Sequence, residues 1–337
     1  MVANTIYEEK DEFKLKKLKL STFIDLCAGI GGGRIGMTNN GLRCVAYSEI
    51  DKAPVETYKL FYGDEEKNYG DLMKINPDFL PDFDLLIGGF PCQTFSIVGK
   101  REGFEDQRGQ IIYGIAKILK KKQTPCFILE NVKGLLSHNK GKTLSSILKL
   151  LTDLDYDIKY SVLDSQNYGV PQMRERVYFI GIHNSIKHKP FEFPESQIPK
   201  PLSEYLIDTE SDILPLNNPT FQKYLNNKYN INRINIDNIL TKDYTIIDTR
   251  QSDLRVYTTK CPTLRTGRHG ILYTKNRQLH KLSELEALLL QGFPYELAQK
   301  VKTSGLLKTK ILSQAGNAMT VNVMDALCKE LIKCLDV

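Results

Sequence analysis

The sequence predicts an α/β protein, a parallel sheet with helices on both faces, together with a second, smaller irregular domain. Three observations carry this. Short apolar runs alternate with longer segments of helical spacing through the first half of the chain, as strands joined by crossover helices do. The alternation breaks at about Ile186, and helical periodicity returns only at Ser283. A length of 337 residues also suits about two domains at ~150 residues each.

The strand-like runs are Thr22–Leu26, Cys44–Ser48, Asp84–Gly88 and Cys126–Glu130. Between them, Ile111–Lys122 and Lys142–Leu154 have helical spacing. Ile158–Leu163 and Arg176–Ile182 follow each other closely and read as an antiparallel pair. The stretch from Ile186 to Leu279 holds Pro190, Pro194, Pro199, Pro201, Pro215, Pro219 and Pro262, and an asparagine-rich segment from Asn217 to Asn238. That segment reads either as base composition plus loop or as a specific device. Ser283 and Glu286 then form a capping-box pattern. Gly292 with Pro294 stops that helix, and a last helix runs from Val321 to Leu335. The expected division is 1–185 plus 280–337 for the first domain and 186–279 for the inserted one.

Composition removes several classes. Apolar residues are 41% and charged residues 26%, a globular balance. No run reaches the ~18 apolar residues of a membrane span, and Met1–Lys19 is too charged for a signal peptide. The seven cysteines are scattered and form no CxxC pair. No zinc site, other metal or disulfide framework is therefore expected, and a reduced, cytoplasmic setting is the simplest reading. The net charge of +6 permits a polyanionic partner without demanding one.

The first run leads into Asp25-Leu26-Cys27-Ala28-Gly29-Ile30-Gly31-Gly32-Gly33. A strand–glycine–helix junction is where doubly wound folds hold nucleotides. Gly31, Gly33 and Gly36 spell GxGxxG, yet that pattern alone is weak, and Gly31 comes late for a dinucleotide site. Glu49 closes the second strand and Asp71 lies near the end of a third. Such carboxylates either cap helices or accept hydrogen bonds from ribose hydroxyls and an adenine amino group. Together with the glycines they point to an adenosine-containing cofactor without a pyrophosphate cradle, a description that S-adenosylmethionine fits.

Next comes Gly89-Phe90-Pro91-Cys92-Gln93. A cysteine at the carboxyl end of a strand sits where open α/β sheets bind ligands, and its polar flanks favour a reactive thiol over an inert one. Glu130 ends the following strand. Gln172-Met173-Arg174-Glu175-Arg176 places two arginines two apart at a strand start, where they face one side.

In this order the motifs resemble the bacterial DNA cytosine-5 methyltransferase family. The matches are the Asp25–Gly32 loop, Glu49, Asp71, Pro91-Cys92-Gln93, Asp106-Gln107-Arg108-Gly109, Glu130-Asn131-Val132, Gln172-Met173-Arg174-Glu175-Arg176, Leu290-Gln291-Gly292-Phe293-Pro294 and Gly316-Asn317-Ala318. The resemblance covers about 20–182 and 280 onward. It implies a Rossmann-like S-adenosylmethionine-dependent methyltransferase domain, with a target-recognition domain in the 186–279 region. The cofactor would contact Asp25, Leu26, Cys27, Ala28, Gly29, Gly31, Gly32, Glu49, Ile50, Asp71, Pro91, Asn317 and Ala318. One departure is Cys27, which stands where the family usually has an aromatic residue packed on the cofactor.

The resemblance also implies the chemistry. Cys92 is the thiolate that adds to carbon 6 of cytosine. Glu130 contacts N3 and the exocyclic amine, and Arg176 holds O2 with Arg174 nearby. The target base must leave the stack. Gln93, Ser96, Lys100 and Arg108 lie in a polar, glycine-containing segment after the nucleophile that suits a lid closing over DNA. From Arg250 to Arg277 seven basic residues face one acid, Asp253, which favours phosphate contacts or guanine reading. Arg255, Thr263, Arg265 and Arg268 are the candidates there, Thr263 because Thr263-Leu264 matches a Thr-Leu landmark of the family's recognition domains. The implied partner is duplex DNA and the product S-adenosylhomocysteine. The enzyme would be a monomer, either an orphan or paired functionally rather than physically with a restriction endonuclease. Two alternatives are tRNA as substrate and a catalytically inactive DNA-binding homologue.

Overall fold

The computed structural model describes residues 15–90 and 111–337. The first part runs β1 (Thr22–Leu26), α1 (Gly32–Thr38), β2 (Arg43–Ser48), α2 (Lys52–Tyr62), β3 (Leu85–Gly89), α3 (Ile111–Lys122), β4 (Cys126–Val132), α4 (Lys142–Thr152), β5 (Tyr156–Asp164), β6 (Gln172–Met173) and β7 (Glu175–His183). Six strands form one sheet in the order β2-β1-β3-β4-β7-β5. β1 to β4 are parallel, and β7 is antiparallel to both β4 and β5. The central strands are buried on both faces; Phe23–Leu26 and Cys126–Leu129 are inaccessible throughout, which explains why these runs are apolar but for Asp25.

This topology gathers particular residues. Parallel strands end on one edge of the sheet, and an antiparallel neighbour begins there. The carboxyl ends of β1, β2, β3 and β4 therefore meet the amino end of β7. In register, Val132 faces Arg176 and Glu130 faces Tyr178, so Glu130 and Arg176 lie within two residues of each other across the ladder.

The second part contains β8 (Ile213–Leu214), α5 (Pro219–Leu225), α6 (Ile236–Ile239), β9 (Ile246–Asp248), β10 (Arg255–Tyr257), β11 (Cys261–Pro262), β12 (Ile271–Lys275) and β13 (Gln278–Lys281). Five of these strands form an antiparallel sheet, β10-β9-β12-β13-β8. Phe221, Leu240, Ile247, Leu254, Leu272 and Leu279 make its own small core. Its other face shares a core with the helices that follow, α7 (Glu284–Leu290), α8 (Tyr295–Thr303) and α9 (Lys308–Asn317): Ile246, Ile271 and Tyr273 pack with Leu285, Leu288 and Ile311. Ile186 and Phe191 pack in the core of the large sheet, and Leu202 and Leu206 join the α7–α9 cluster.

The asparagine-rich segment proves to be built rather than slack. Asn218 caps α5 by accepting from the amides of Thr220 and Phe221, and Asn235 caps α6. Asn230 is fully buried, donates to the carbonyls of Tyr224 and Ser252, and accepts from the Leu254 amide. Ser283 and Glu286 close the expected capping box on α7, a device that contributes about 1 kcal/mol. The last helix, α10 (Val321–Leu335), buries Val323, Met324, Leu327 and Leu331 against the large sheet, each side chain contributing roughly 1.5–3 kcal/mol.

One expected element is absent. Asp71 ends no strand; the third strand of the chain is Leu85–Gly89. The backbone only brushes β2 through a bridge between Tyr47 and Asn68, and Asp71 then caps a short 3-10 turn by accepting from the Met73 amide at 3.0 Å. An aspartate beside a free amide satisfies it locally, which is the capping reading of that residue.

Candidate active site

A cleft of about 750 Å³ opens at the carboxyl edge of the large sheet, the usual ligand position in open α/β folds. Cys27, Ala28, Gly29, Ile30 and Glu49 line one end; Glu130, Asn131, Val132, Arg174 and Arg176 line the middle; His269 and α9 residues from Thr309 to Asn317 form the far wall.

The glycine loop is tightly wound. Cys27, Gly29 and Gly31 all have left-handed backbones, with φ of 51°, 56° and 77°, a conformation natural to glycine and costly for cysteine. Gly31 must also be glycine for space, because a Cβ there would stand 2.5 Å from the Tyr62 ring. The Tyr62 hydroxyl donates to the Gly31 carbonyl at 2.8 Å, and the Arg34 guanidinium lies over the Tyr62 ring at 4.3 Å while pairing with Glu66 at 2.7 Å. Gly32 packs against the Met319 carbonyl.

Glu49 faces this loop. Its carboxylate accepts from the Gly29 amide at 2.9 Å and the Asp51 amide at 2.8 Å. A carboxylate has about four acceptor sites, so capacity remains for a ligand's hydroxyls. Asn68, which sequence reasoning missed, fixes the Glu49 backbone with two bonds: the Glu49 amide donates to its Oδ1 at 3.1 Å, and its Nδ2 donates to the Glu49 carbonyl at 3.0 Å. A Cβ on Gly29 would meet nothing within 4 Å, so that glycine looks onto open space. Asp25 is inaccessible, and neither of its carboxylate oxygens has a partner among the described residues. Burial pushes its pKa well up, with Arg34 opposing and Glu49 adding. A donor-lined loop beside acidic acceptors fits an adenosine-containing group bearing hydroxyls and an ammonium.

At the middle of the cleft, Arg176 Nε stands 3.0 Å from Glu130 Oε1. The contact is an ion pair, and Oε1 has no hydrogen-bond partner among the described residues. Burial raises the Glu130 pKa, and the charges of Arg176 and Arg174 only partly oppose that. The result is a carboxyl group more easily protonated than an ordinary one. Asn131 donates to the Phe90 carbonyl at 2.8 Å, which fixes the end of β3 directly before Pro91.

Not every expected residue is gathered here. Cys27, Ala28, Gly29, Glu49, Glu130, Arg174, Arg176, Asn317 and Ala318 line the cleft, whereas Leu26, Gly31, Gly32, Asp25, Ile50 and Asp71 do not. Leu26 is core, and Ile50 is 72% exposed. Arg174, expected near O2, does line the cleft, and its guanidinium donates to the carbonyls of Leu264, Gly316 and Ala318. Pro91, Cys92, Gln93, Ser96, Lys100 and Arg108, and the lid expected around them, lie outside the described residues. Missed residues include Lys310, Ser313 and Gln314. Their signal was helical spacing with Asn317, which puts all four on one face of α9.

The basic stretch is weaker than its count. Arg250 is buried, with Nε 2.7 Å from Asp248 Oδ1, and it donates to the Thr263 carbonyl. It is therefore structural, neutralised by an acid just outside the counted window. Arg255 lies exposed on an edge strand beside Asp253 and Gln251. Arg265 and Arg268 are exposed. Thr263 docks rather than reaches out, its hydroxyl donating to the Met173 carbonyl.

An open mixed sheet with a glycine loop at one end of its cleft and a carboxyl–guanidinium pair in the middle defines a Rossmann-like methyltransferase. The family model described as C-5 cytosine-specific DNA methylase matches residues 21–333. Type II methyltransferase M.BsuFI of Bacillus subtilis is 39% identical over 90% of this chain and 71% of its own length. Type II methyltransferase M.HhaI of Haemophilus parahaemolyticus is 34% identical over 93% and 94%. The solved structure of S. pombe Dnmt2 methyltransferase superposes with a TM-score of 0.67 at 19% identity, covering 93% of this chain and 98% of that one, a likeness of fold. The chain belongs to the C-5 cytosine-specific DNA methylase family and is a DNA cytosine-5 methyltransferase. Among the described residues, no helix is long and apolar enough to cross a membrane.

Proposed function

We propose that this protein methylates carbon 5 of a cytosine flipped out of a short, specific duplex site, as the modification enzyme of a Type II restriction–modification system. The observation that carries the reading is the Glu130–Arg176 pair, set in one cleft with the Glu49–Gly29 loop. The Type II names of the relatives support the biological setting. Residues 186–279 are proposed as the region that reads the site, through the exposed Arg255, Arg265 and Arg268.

The proposed donor is S-adenosylmethionine, held by the Cys27–Gly29 loop and Glu49 with Asn317 and Ala318 opposite; when bound it supplies an electrophilic methyl group on a sulfonium. Cys92 adds as thiolate to carbon 6 of the cytosine, making carbon 5 nucleophilic. Glu130 holds a proton at N3, which neutralises charge as the adduct forms. Its raised pKa suits that task. Arg176 orients O2 and keeps Glu130 in place. After methyl transfer a base, for which water would serve, takes the carbon 5 proton as the bond from carbon 6 to Cys92 breaks and the thiolate is released.

The test uses duplex DNA with 5-fluorocytosine in place of cytosine. Fluorine cannot depart as a proton, so enzyme and DNA should remain bonded through Cys92 in a complex that survives denaturing electrophoresis and requires the methyl donor. Cys92→Ser should abolish it. An adduct mapping to another cysteine, or none on a DNA that bisulfite sequencing shows to be methylated, would overturn the mechanism.

A further inference from the structure

We propose that Arg174 is a positioning residue that couples the cofactor end of the cleft to the segment carrying Arg265 and Arg268. The inference rests on the function proposed above and concerns how its two binding events communicate. The Arg174 side chain is 2% exposed. Nη2 donates to the Ala318 carbonyl at 2.9 Å, and Nη1 donates to the Gly316 carbonyl at 3.0 Å and to the Leu264 carbonyl at 3.4 Å. Two of these acceptors close α9 and stand on the cleft wall; the third immediately precedes Arg265. The Arg174 amide is itself anchored to Asp164 Oδ1 at 2.8 Å.

The rest of the seam is closed independently. The Leu264 amide donates to Gln172 Oε1 at 3.0 Å, β11 pairs with β6, and the Ser313 hydroxyl donates to the Thr266 carbonyl. A Cβ on Gly316 would stand 2.3 Å from the Arg265 carbonyl carbon, so only glycine lets α9 touch this segment. Leu264–Thr266 is thus gripped between the start of β7 and the end of α9. A guanidinium with no carboxylate bonded to it among the described residues, whose Nη1 and Nη2 donate to backbone carbonyls of separate segments while its Nε has no partner there, is placed to hold geometry rather than to bind a base. A ligand that orders residues 316–318 then orders Leu264–Arg268 as well, and by linkage each ligand tightens the other by the same factor.

The experiment compares duplex-DNA affinity with and without saturating S-adenosylhomocysteine, using a duplex that the wild type methylates. If no duplex is methylated, the functional reading has failed before the coupling is measured. In the wild type the product should tighten DNA binding about tenfold. In Arg174→Met that ratio should fall to about twofold or less, whatever the variant's affinity for each ligand alone. Arg174→Lys, which reaches fewer carbonyls, should fall between. If Arg174→Met does not fold, Gly316→Ala and Thr263→Val open the same seam without disturbing a buried charge, and each should lower the ratio. A ratio that stays at the wild-type value in these variants, or no coupling in the wild type, would overturn the proposal.

Discussion

The two sheets of this enzyme answer different demands. The large sheet has strands of five to nine residues, most of them buried on both faces. It fixes groups at one edge with short bonds. The small sheet has strands of two to five residues, and it leaves Arg255, Arg265 and Arg268 in solvent. A change on the first edge should therefore act on rate, nearly all or none. Changes on the second should act on binding, in graded and salt-dependent steps.

The largest effect should come from Glu130→Gln. An amide cannot hold a proton on N3, so kcat should fall by roughly 10²–10⁴ while DNA affinity moves little. With the acid form active, as proposed, and burial raising its pKa, the wild-type rate should decline as pH rises through that pKa. The variant should lose this alkaline limb. A pH–rate profile of both enzymes, with DNA affinity measured in parallel, would separate a rate effect from a binding effect.

Next in size is a stability effect at the join between the sheets. Glu286 is inaccessible and accepts from Tyr273, Ser283 and Asp208. Burial lifts its pKa from 4.5 to about 7. The folded state thus binds this proton more tightly than the unfolded chain. The resulting stability is full below about pH 4.5 and is lost as pH rises through about 7, on the order of 3 kcal/mol. Glu286→Gln should flatten that slope of unfolding free energy between pH 5 and 8. A slope as steep as wild type would mean that another group titrates there.

This contrast also decided what the sequence could reveal. Thr22–Leu26 and Cys126–Glu130 were readable because a strand buried on both faces is dense in apolar residues, here interrupted only by Asp25 and ended by Glu130. β8 and β11, two residues each, leave no period to detect. Glu49 and Glu130 were readable as carboxylates at strand ends. Asn68 was not, since its role depends on a bridge between Tyr47 and Asn68 that no local pattern marks. Arg174 and Arg176 share one motif and both line the cleft yet differ in partners, since the Arg174 guanidinium bonds backbone carbonyls while Arg176 pairs with Glu130, a division that spacing alone does not mark. Arg250 misled by proximity: its partner Asp248 lies two residues outside the basic stretch.

The exposed arginines test the graded side of the comparison. Arg265→Ala or Arg268→Ala should flatten the log–log dependence of DNA affinity on salt by about one unit if the residue meets a phosphate. If it reads a guanine, discrimination at one base pair should drop by about 1–3 kcal/mol. Arg250→Ala should show neither signature and should lower stability instead, since it strands Asp248. Unchanged affinity, slope and specificity at both exposed positions would remove this stretch from the DNA interface.

The smallest effect belongs to Cys27, on the edge where the large sheet meets its ligand. The side chain is partly buried against the core below the glycine loop and lines the cleft. Burial, with Glu49, Asp25 and Asp71 adding, pushes its thiol up to about 12, so it is neutral at working pH and should resist alkylation. Replacing it with Phe offers a flat face to an adenine ring. Aromatic pairing of this kind contributes about 0.5–1.5 kcal/mol, or roughly two- to tenfold in affinity. The left-handed backbone at this position, φ 51°, costs any non-glycine residue and a bulky one more, which sets the gain against some strain. Calorimetric titration with S-adenosylmethionine should therefore show tighter binding in Cys27→Phe, with kcat unchanged. Equal or weaker binding would mean that the cleft has closed over the missing ring, and that cofactor affinity here rests on Glu49 and the loop amides alone.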